Sequence, residues 1–294
     1  MFRRIGLFLM VNILVIATIS IIMSVFGIQP YLTANGIDYT SLLIFCLLWG
    51  SVGSFISLRL SKWMAKRTFG LQILQGNESN DAREVVEMVH RYSKAAGLIK
   101  MPEVAIYDSP EVNAFATGPS RSNSLVAVSS GLLRTMNKNE VEGVIAHEVA
   151  HIANGDMVTM ALIQGIVNAF VMFLSRVLAN FIARGDDEEG GSMALQFGLT
   201  IVFDILFSFL ASFAVNAFSR WREYRADAGS ARIAGRDKMI AALRSLQNQV
   251  EMVDKRQKGF QSMKINGGRP SIAALLSTHP SLEDRIRRLE RGQY

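Results

Sequence analysis

Two of the four histidines in this 294-residue chain stand four positions apart, with a glutamate after the first: His147-Glu148-Val149-Ala150-His151. On an α-helix, residues four apart share a face about one turn apart. Two imidazoles so placed can converge on one metal ion. Glu148, one position on, is close enough to hold a water on that ion and take its proton. This is the H-E-x-x-H arrangement of zinc hydrolases. The bland alternative is a pair of surface histidines. The flanks Val144, Ile145, Ala146, Val149, Ala150 and Ile152 are small or apolar. Ionisable groups among them are costly without a partner.

A catalytic zinc takes three protein ligands and keeps one position open. Cys46 is the one cysteine, which excludes thiolate clusters and a disulfide framework. Of the remaining histidines, His90 reads as a solvated helix residue, and His279 stands before Pro280 and Ser281. The better third ligand is Glu223, with Asp227 four residues on along the same helix face. There Glu223 ligates, and Asp227 accepts a hydrogen bond from a ligand imidazole and fixes its tautomer. Locally, the same stretch also reads as an exposed ion-pair helix with Arg222 and Arg225.

The elements around these residues carry their own signals. Asn137 and Glu140 form a capping box that opens the histidine helix, and Gly155 closes it. Asp156 is placed to N-cap the apolar helix that follows. Ser79–Glu84 reads as another helix start, with Gly97 as its stop. Glu103–Tyr107 and Leu125–Ser129 are short β-type runs, read as a small hairpin-like sheet. Lys255–Pro270 is a basic, glycine-rich loop.

The composition is apolar: 50% of residues are hydrophobic and 19% charged, against about 25% charged in ordinary soluble domains. That excludes disorder. Ile5–Ile28 contains no charge and is long enough to cross a bilayer; Ser41–Leu58 is a second uncharged run. Met157–Ala183 and Ser192–Ser219 are apolar except for Arg176 and Asp204. Arg3 and Arg4 precede the first run, Arg59, Lys62, Lys66 and Arg67 follow the second, and the connector 29–40 has neither Lys nor Arg. Positively charged flanks stay in the cytoplasm. Both termini and the chemistry-bearing regions are therefore expected there. The net charge of +6 reads as a topology signal and a lipid headgroup contact, with no nucleic-acid partner.

The expected fold is predominantly α with a small β-sheet: a multi-span α-helical membrane protein carrying a zincin-like α+β catalytic domain. Residues 1–60 hold two transmembrane helices, and 61–156 the cytoplasmic part of the protease domain with the zinc-binding helix. An apolar helical hairpin occupies 157–219, and the rest of the cytoplasmic domain, with the third ligand, 220–294. If the acidic loop near Gly190 turns the chain, Arg176 and Asp204 lie at one depth, and an ion pair between them is expected to hold the hairpin together.

The ordered set His147-Glu-Val-Ala-His151, Glu223-x-x-x-Asp227 and Thr278-His279-Pro280 with Arg285 resembles the HtpX-type membrane gluzincins, relatives of the CAAX prenyl proteases. Asn113-Ala114-Phe115-Ala116-Thr117-Gly118 and Ser130-Gly131-Leu132-Leu133 extend the resemblance over essentially the whole chain. It implies a zinc endopeptidase of the bacterial cytoplasmic membrane, one Zn2+ per chain, acting on misfolded or misassembled membrane proteins, often alongside FtsH. Zinc on His147, His151 and Glu223, with Glu148 as general base, fits that activity. His279 is the candidate oxyanion donor, with Arg285 orienting it. Asn113–Thr117 matches the strand that pairs with an extended substrate. The rival readings are a membrane transporter and a non-catalytic zinc-binding scaffold.

Overall fold

The histidine helix forms as its end signals require. The Glu140 backbone N–H donates to Asn137 Oδ1 at 3.1 Å, and Glu140 Oε2 accepts from the Asn137 N–H at 2.9 Å. At the other end Gly155 adopts φ +72°, the left-handed conformation that glycine reaches without strain. Between them runs Lys138–Asn154. This computed structural model describes residues 39–75, 80–184, 193–256 and 277–292. The first expected span, the Ser79 cap, the acidic loop and most of the basic loop lie outside the described residues.

In chain order the elements are α1 (Tyr39–Phe69), β1 (Gln72–Leu74), α2 (Asn80–Ala95), β2 (Glu103–Tyr107), β3 (Ala114–Ser120), β4 (Asn123–Ser129) and α3 (Ser130–Thr135). They continue with α4 (Lys138–Asn154), α5 (Asp156–Arg184), α6 (Met193–Ala234), α7 (Arg236–Arg256) and α8 (Leu282–Glu290). The chain divides into two compact units, Leu60–Val158 with Asn216–Tyr294 and Met1–Arg59 with Thr159–Val215.

The first unit is built on a four-stranded sheet in the order β1-β2-β4-β3. The expected hairpin between β2 and β4 is corrected here. The two strands are parallel, with Val104 opposite Val126 and Ala105 opposite Ala127. The segment between them contains β3, which turns tightly back onto β4 and takes the antiparallel place on its far side. β2 can then reach β4 only along the other edge. β4 is buried on both faces, as its continuous apolar run suggests. Val126 and Val128 point into a core with Val85 and Val89 of α2 and Ile145, Val149 and Ile152 of α4. Leu125 and Ala127 pack on the opposite face with Phe69, Tyr107 and Phe115.

Two helices close tightly on α4. A Cβ at Gly143 would stand 2.4 Å from the Lys238 carbonyl oxygen of α7. A Cβ at Gly229 of α6 would stand 2.7 Å from Ala150 Cβ. Ser230 Oγ donates to the Gly143 carbonyl at 3.0 Å, tying α6 to α4.

The second unit is apolar. Ser41–Phe69, Asp156–Ala183 and Met193–Ala234 are each long and apolar enough to cross a membrane. Within this unit Leu43, Ile44, Phe55, Phe170, Phe197 and Ile205 are exposed, the surface expected of lipid-facing helices. A Cβ at Gly50 of α1 would stand 2.4 Å from the Gly165 carbonyl of α5, so small residues let the two backbones touch. The ion pair expected between Arg176 and Asp204 is not formed. Arg176 turns back along its own helix and Nη1 donates to the Met172 carbonyl at 3.0 Å. Asp204 Oδ1 is buried with no hydrogen-bond partner.

One buried carboxylate in the first unit generates a pH prediction. Glu142 on α4 is 2% exposed and receives Arg91 from α2 and Lys238 from α7. Burial raises its pKa, but hydrogen bonds from Lys238, Tyr92 and Arg91 outweigh that and hold it down at about 2. A depressed carboxylate stabilises the fold above its unfolded pKa, and that stability is lost as pH falls through the folded value. Glu142→Gln is expected to cost about 2–3 kcal/mol at pH 7. In thermal unfolding of the purified protein, the gap between wild type and variant should shrink below about pH 4.5 and vanish near pH 2.

Candidate metal centre

His147 and His151 project from successive turns of α4, with their rings edge to face at 4.7 Å between centroids. Their Nε2 atoms are 3.1 Å apart. Glu223 enters from α6: Oε2 lies 3.5 Å from His147 Nε2, and Oε1 3.3 Å from His151 Nε2. A tetrahedral zinc with ligands at about 2.0–2.1 Å needs neighbouring donors about 3.3 Å apart. The two Nε2 atoms stand near that edge length, each imidazole has one Glu223 oxygen at a similar distance, and one atom from each residue falls within 4.8 Å of the others.

Each imidazole is held from behind by a carboxylate. His147 Nδ1 is 3.0 Å from Asp227 Oδ1, as the sequence suggests. His151 Nδ1 is 2.6 Å from Asp156 Oδ2. The sequence reading assigns Asp156 only a helix-capping role. The signal for the second role is its position one residue beyond the glycine that ends α4, where the chain turns back toward the last histidine. Asp156 is 1% exposed, which a cap in water does not need.

Arg285 of α8 does not orient His279 here. It makes a two-pronged bond to Asp227, from Nε at 2.8 Å and Nη2 at 2.6 Å, and Nη1 lies 3.6 Å from Glu223 Oε2. It thereby neutralises the carboxylate behind His147. His279 does reach the centre: its Nδ1 stands 3.0 Å from Glu223 Oε2 while its side chain remains largely exposed. Glu148 is half-buried beside His147 and makes no hydrogen bond to any described residue. Asn113–Thr117 runs into β3, the sheet's edge strand, whose Ala114 and Ala116 pack against the core that holds α4. His90 lies on α2 and is not among the clustered donors. Arg176 and Asp204 belong to the apolar unit.

Charge completes the fit to a metal. Glu148, Glu223, Asp227 and Asp156 bring four negative charges, and Arg285 and Arg222, whose Nη2 lies 4.0 Å from Glu223 Oε1, bring two positive. With neutral imidazoles the set lacks two positive charges, which one divalent cation supplies. Without it, protons take that place. Burial lowers the pKa of His151, but Asp156 and Glu223 outweigh burial and raise it to about 9. His147 is likewise raised by Asp227 and Glu223 against its burial. Glu223 is held far below the usual carboxylate range, because His147, His151 and His279 outweigh its desolvation.

Carboxylates behind metal-bound imidazoles typically change metal affinity 10–100-fold. Asp156→Asn and Asp227→Asn are each expected to weaken metal binding by about that factor, measured by chelator competition on purified protein. Unchanged affinity in Asp156→Asn would remove Asp156 from ligand support.

Comparisons with known proteins give the family. The profile described as peptidase family M48 matches residues 79–293. "Protease HtpX homolog" of Bacillus licheniformis is 54% identical over 98% of this chain and 99% of its own length. The protein of the same description from Bacillus subtilis is 53% identical over 99% of both. "Protease HtpX" of Acinetobacter baylyi is 48% identical over 98% of both. Among solved structures, the crystal structure of S. mikatae Ste24p aligns with a TM-score of 0.62 at 16% identity. That match covers 98% of this chain and 66% of the longer one, and it shows a shared fold. By its profile and its full-length relatives, the chain belongs to peptidase family M48, as a membrane metalloprotease.

Proposed function

We propose that this chain is a zinc-dependent endopeptidase of the bacterial cytoplasmic membrane, cleaving peptide bonds in misfolded or misassembled membrane proteins. The observation that carries the reading is the triangle of His147, His151 and Glu223 with an uncommitted Glu148 beside it. Two imidazoles and one carboxylate are a donor set of catalytic zinc, and three protein ligands leave a position open. The relatives named as HtpX proteases support the same activity.

When bound, zinc supplies a Lewis acid that polarises a carbonyl and makes water acidic near neutral pH. The chain's residues do the rest. Glu148 accepts the proton of the attacking water and hands it to the leaving amine. His279, at the outer edge of Glu223, donates a hydrogen bond to the oxyanion of the tetrahedral adduct. Asp156 and Asp227 keep the two ligand imidazoles in the tautomer that offers Nε2. The outer edge of β3, unpaired within the sheet, accepts an extended peptide by strand addition, beginning at Asn113–Thr117. The basic residues after the second apolar run support a site on the cytoplasmic side, where partnership with FtsH would be met.

Metal content and cleavage of an unfolded membrane substrate, measured together, test this. Glu148→Ala is expected to keep its metal and lose proteolysis. His147→Ala and Glu223→Ala should lose the metal itself. Near-wild-type turnover in Glu148→Ala would overturn the mechanism, and a metal other than zinc in active protein would overturn the cofactor. His279→Ala is expected to retain metal and lower kcat about a hundredfold. Normal kcat would remove His279 from the reaction.

A further inference from the structure

The apolar unit contains a polar site to which the mechanism above assigns no role. A cavity of about 420 Å³ opens between α1, α5 and the start of α6. Its wall includes Arg176, Asp204 and Thr200 among the apolar side chains Leu42, Phe45 and Phe197. A cavity of this size, mostly apolar with a few convergent polar groups, has the character of a small-molecule site.

The two charges in that wall are unsatisfied in complementary ways. Asp204 Oδ1 is buried and has no hydrogen-bond partner. Arg176 spends one nitrogen on the Met172 carbonyl at 3.0 Å and makes no ion pair with any described carboxylate. A guanidinium has five N–H donors, so most remain free. Opposite charges among apolar helices ordinarily find each other. Here they flank a common space instead, one offering donors and the other an acceptor. The occupant they fit carries an anionic group for Arg176, an N–H donor for Asp204 and an apolar body for Leu42, Phe45 and Phe197. The helices around the cavity present exposed Leu, Ile and Phe side chains, so lipid is the solvent from which that occupant comes.

We propose that this cavity binds the headgroup of an aminophospholipid, with its phosphate on Arg176 and its ammonium on Asp204. Thr200 is already committed through its hydroxyl to the Gln196 carbonyl, so the two charges decide the selection. The lipid acts as the missing bridge between α5 and α6 in this unit.

The test uses the full chain in detergent, stripped of lipid and titrated with phosphatidylethanolamine, phosphatidylcholine or phosphatidylglycerol, with bound lipid read by native mass spectrometry. Phosphatidylethanolamine is expected to bind about tenfold more tightly than either of the others, the worth of one charge-assisted hydrogen bond. Asp204→Asn should erase the preference over phosphatidylcholine, whose methylated nitrogen has no N–H to give. Arg176→Gln should weaken all three lipids. Equal binding of the three by wild type, a preference for phosphatidylglycerol, or an unchanged preference in Asp204→Asn would each overturn the proposal. Retention of no lipid at all would do so too, leaving a substrate segment as the occupant. Metal content of both variants reports their folding, and the three-lipid comparison in wild type stands even if a variant fails to fold.

Discussion

Buried charge is the constraint on which the rest of the protease unit depends. His147, Glu223, Asp227, Asp156 and Arg285 are each less than a tenth exposed. Taking any of them out of water alone would cost several kcal/mol. They are tolerable because each is answered by another at hydrogen-bonding distance, and because the charge that remains is what one divalent cation would balance. Four separate elements contribute to it: α4, the first residue of α5, α6 and α8. The fold around them is a means of bringing those four pieces of chain to one point.

The helices achieve this by giving up side-chain volume. Gly143 lets α7 approach α4, and Gly229 lets α6 approach α4 at Ala150, one residue before His151. Ser230 then bonds the Gly143 carbonyl across the same contact. Larger residues at either glycine would separate the backbones, and overpacking of that kind typically costs 1–3 kcal/mol. The electrostatic cost would be added, because Glu223 and Asp227 ride on the helix that moved. Packing and the placement of these carboxylates are therefore one structural decision in this region. Beside that contact Glu142 draws in Lys238 of α7 and Arg91 of α2, so the same helix is also anchored by charge.

Much of the centre was legible because it is written at helical spacing. His147 with His151 and Glu223 with Asp227 are both four apart, and each pair lies on one continuous helix. The capping box at Asn137 and the stop at Gly155 are local chemistry and formed as read. What sequence could not show is which element meets which. Asp156 looks like a cap from its neighbours in sequence, yet it is the first residue of α5 itself, and its contact with His151 appears only when α5 departs from Gly155. Arg285 was expected beside His279, six residues away, yet it reaches Asp227 on a different helix. β2 and β4 have strand-like sequences, but their parallel pairing depends on β3 folding back first. The Arg176–Asp204 pair failed for a related reason. Equal distance from a turn fixes depth, but it says nothing of rotation about the helix axis.

The stripe on α6 that carries Ser219, Glu223, Asp227 and Ser230 consists of buried positions spaced three or four apart. A helix advances 100° per residue, so this stripe keeps time like an angular clock. Inserting or deleting a single residue within it would swing everything beyond by more than a quarter turn. Glu223 and the Ser230 hydroxyl that braces α4 could then no longer face the same neighbour. Substitutions at the exposed positions between them leave the clock untouched. Over descent, this stretch can change its letters far more readily than its length, and gaps between relatives should collect in the loops.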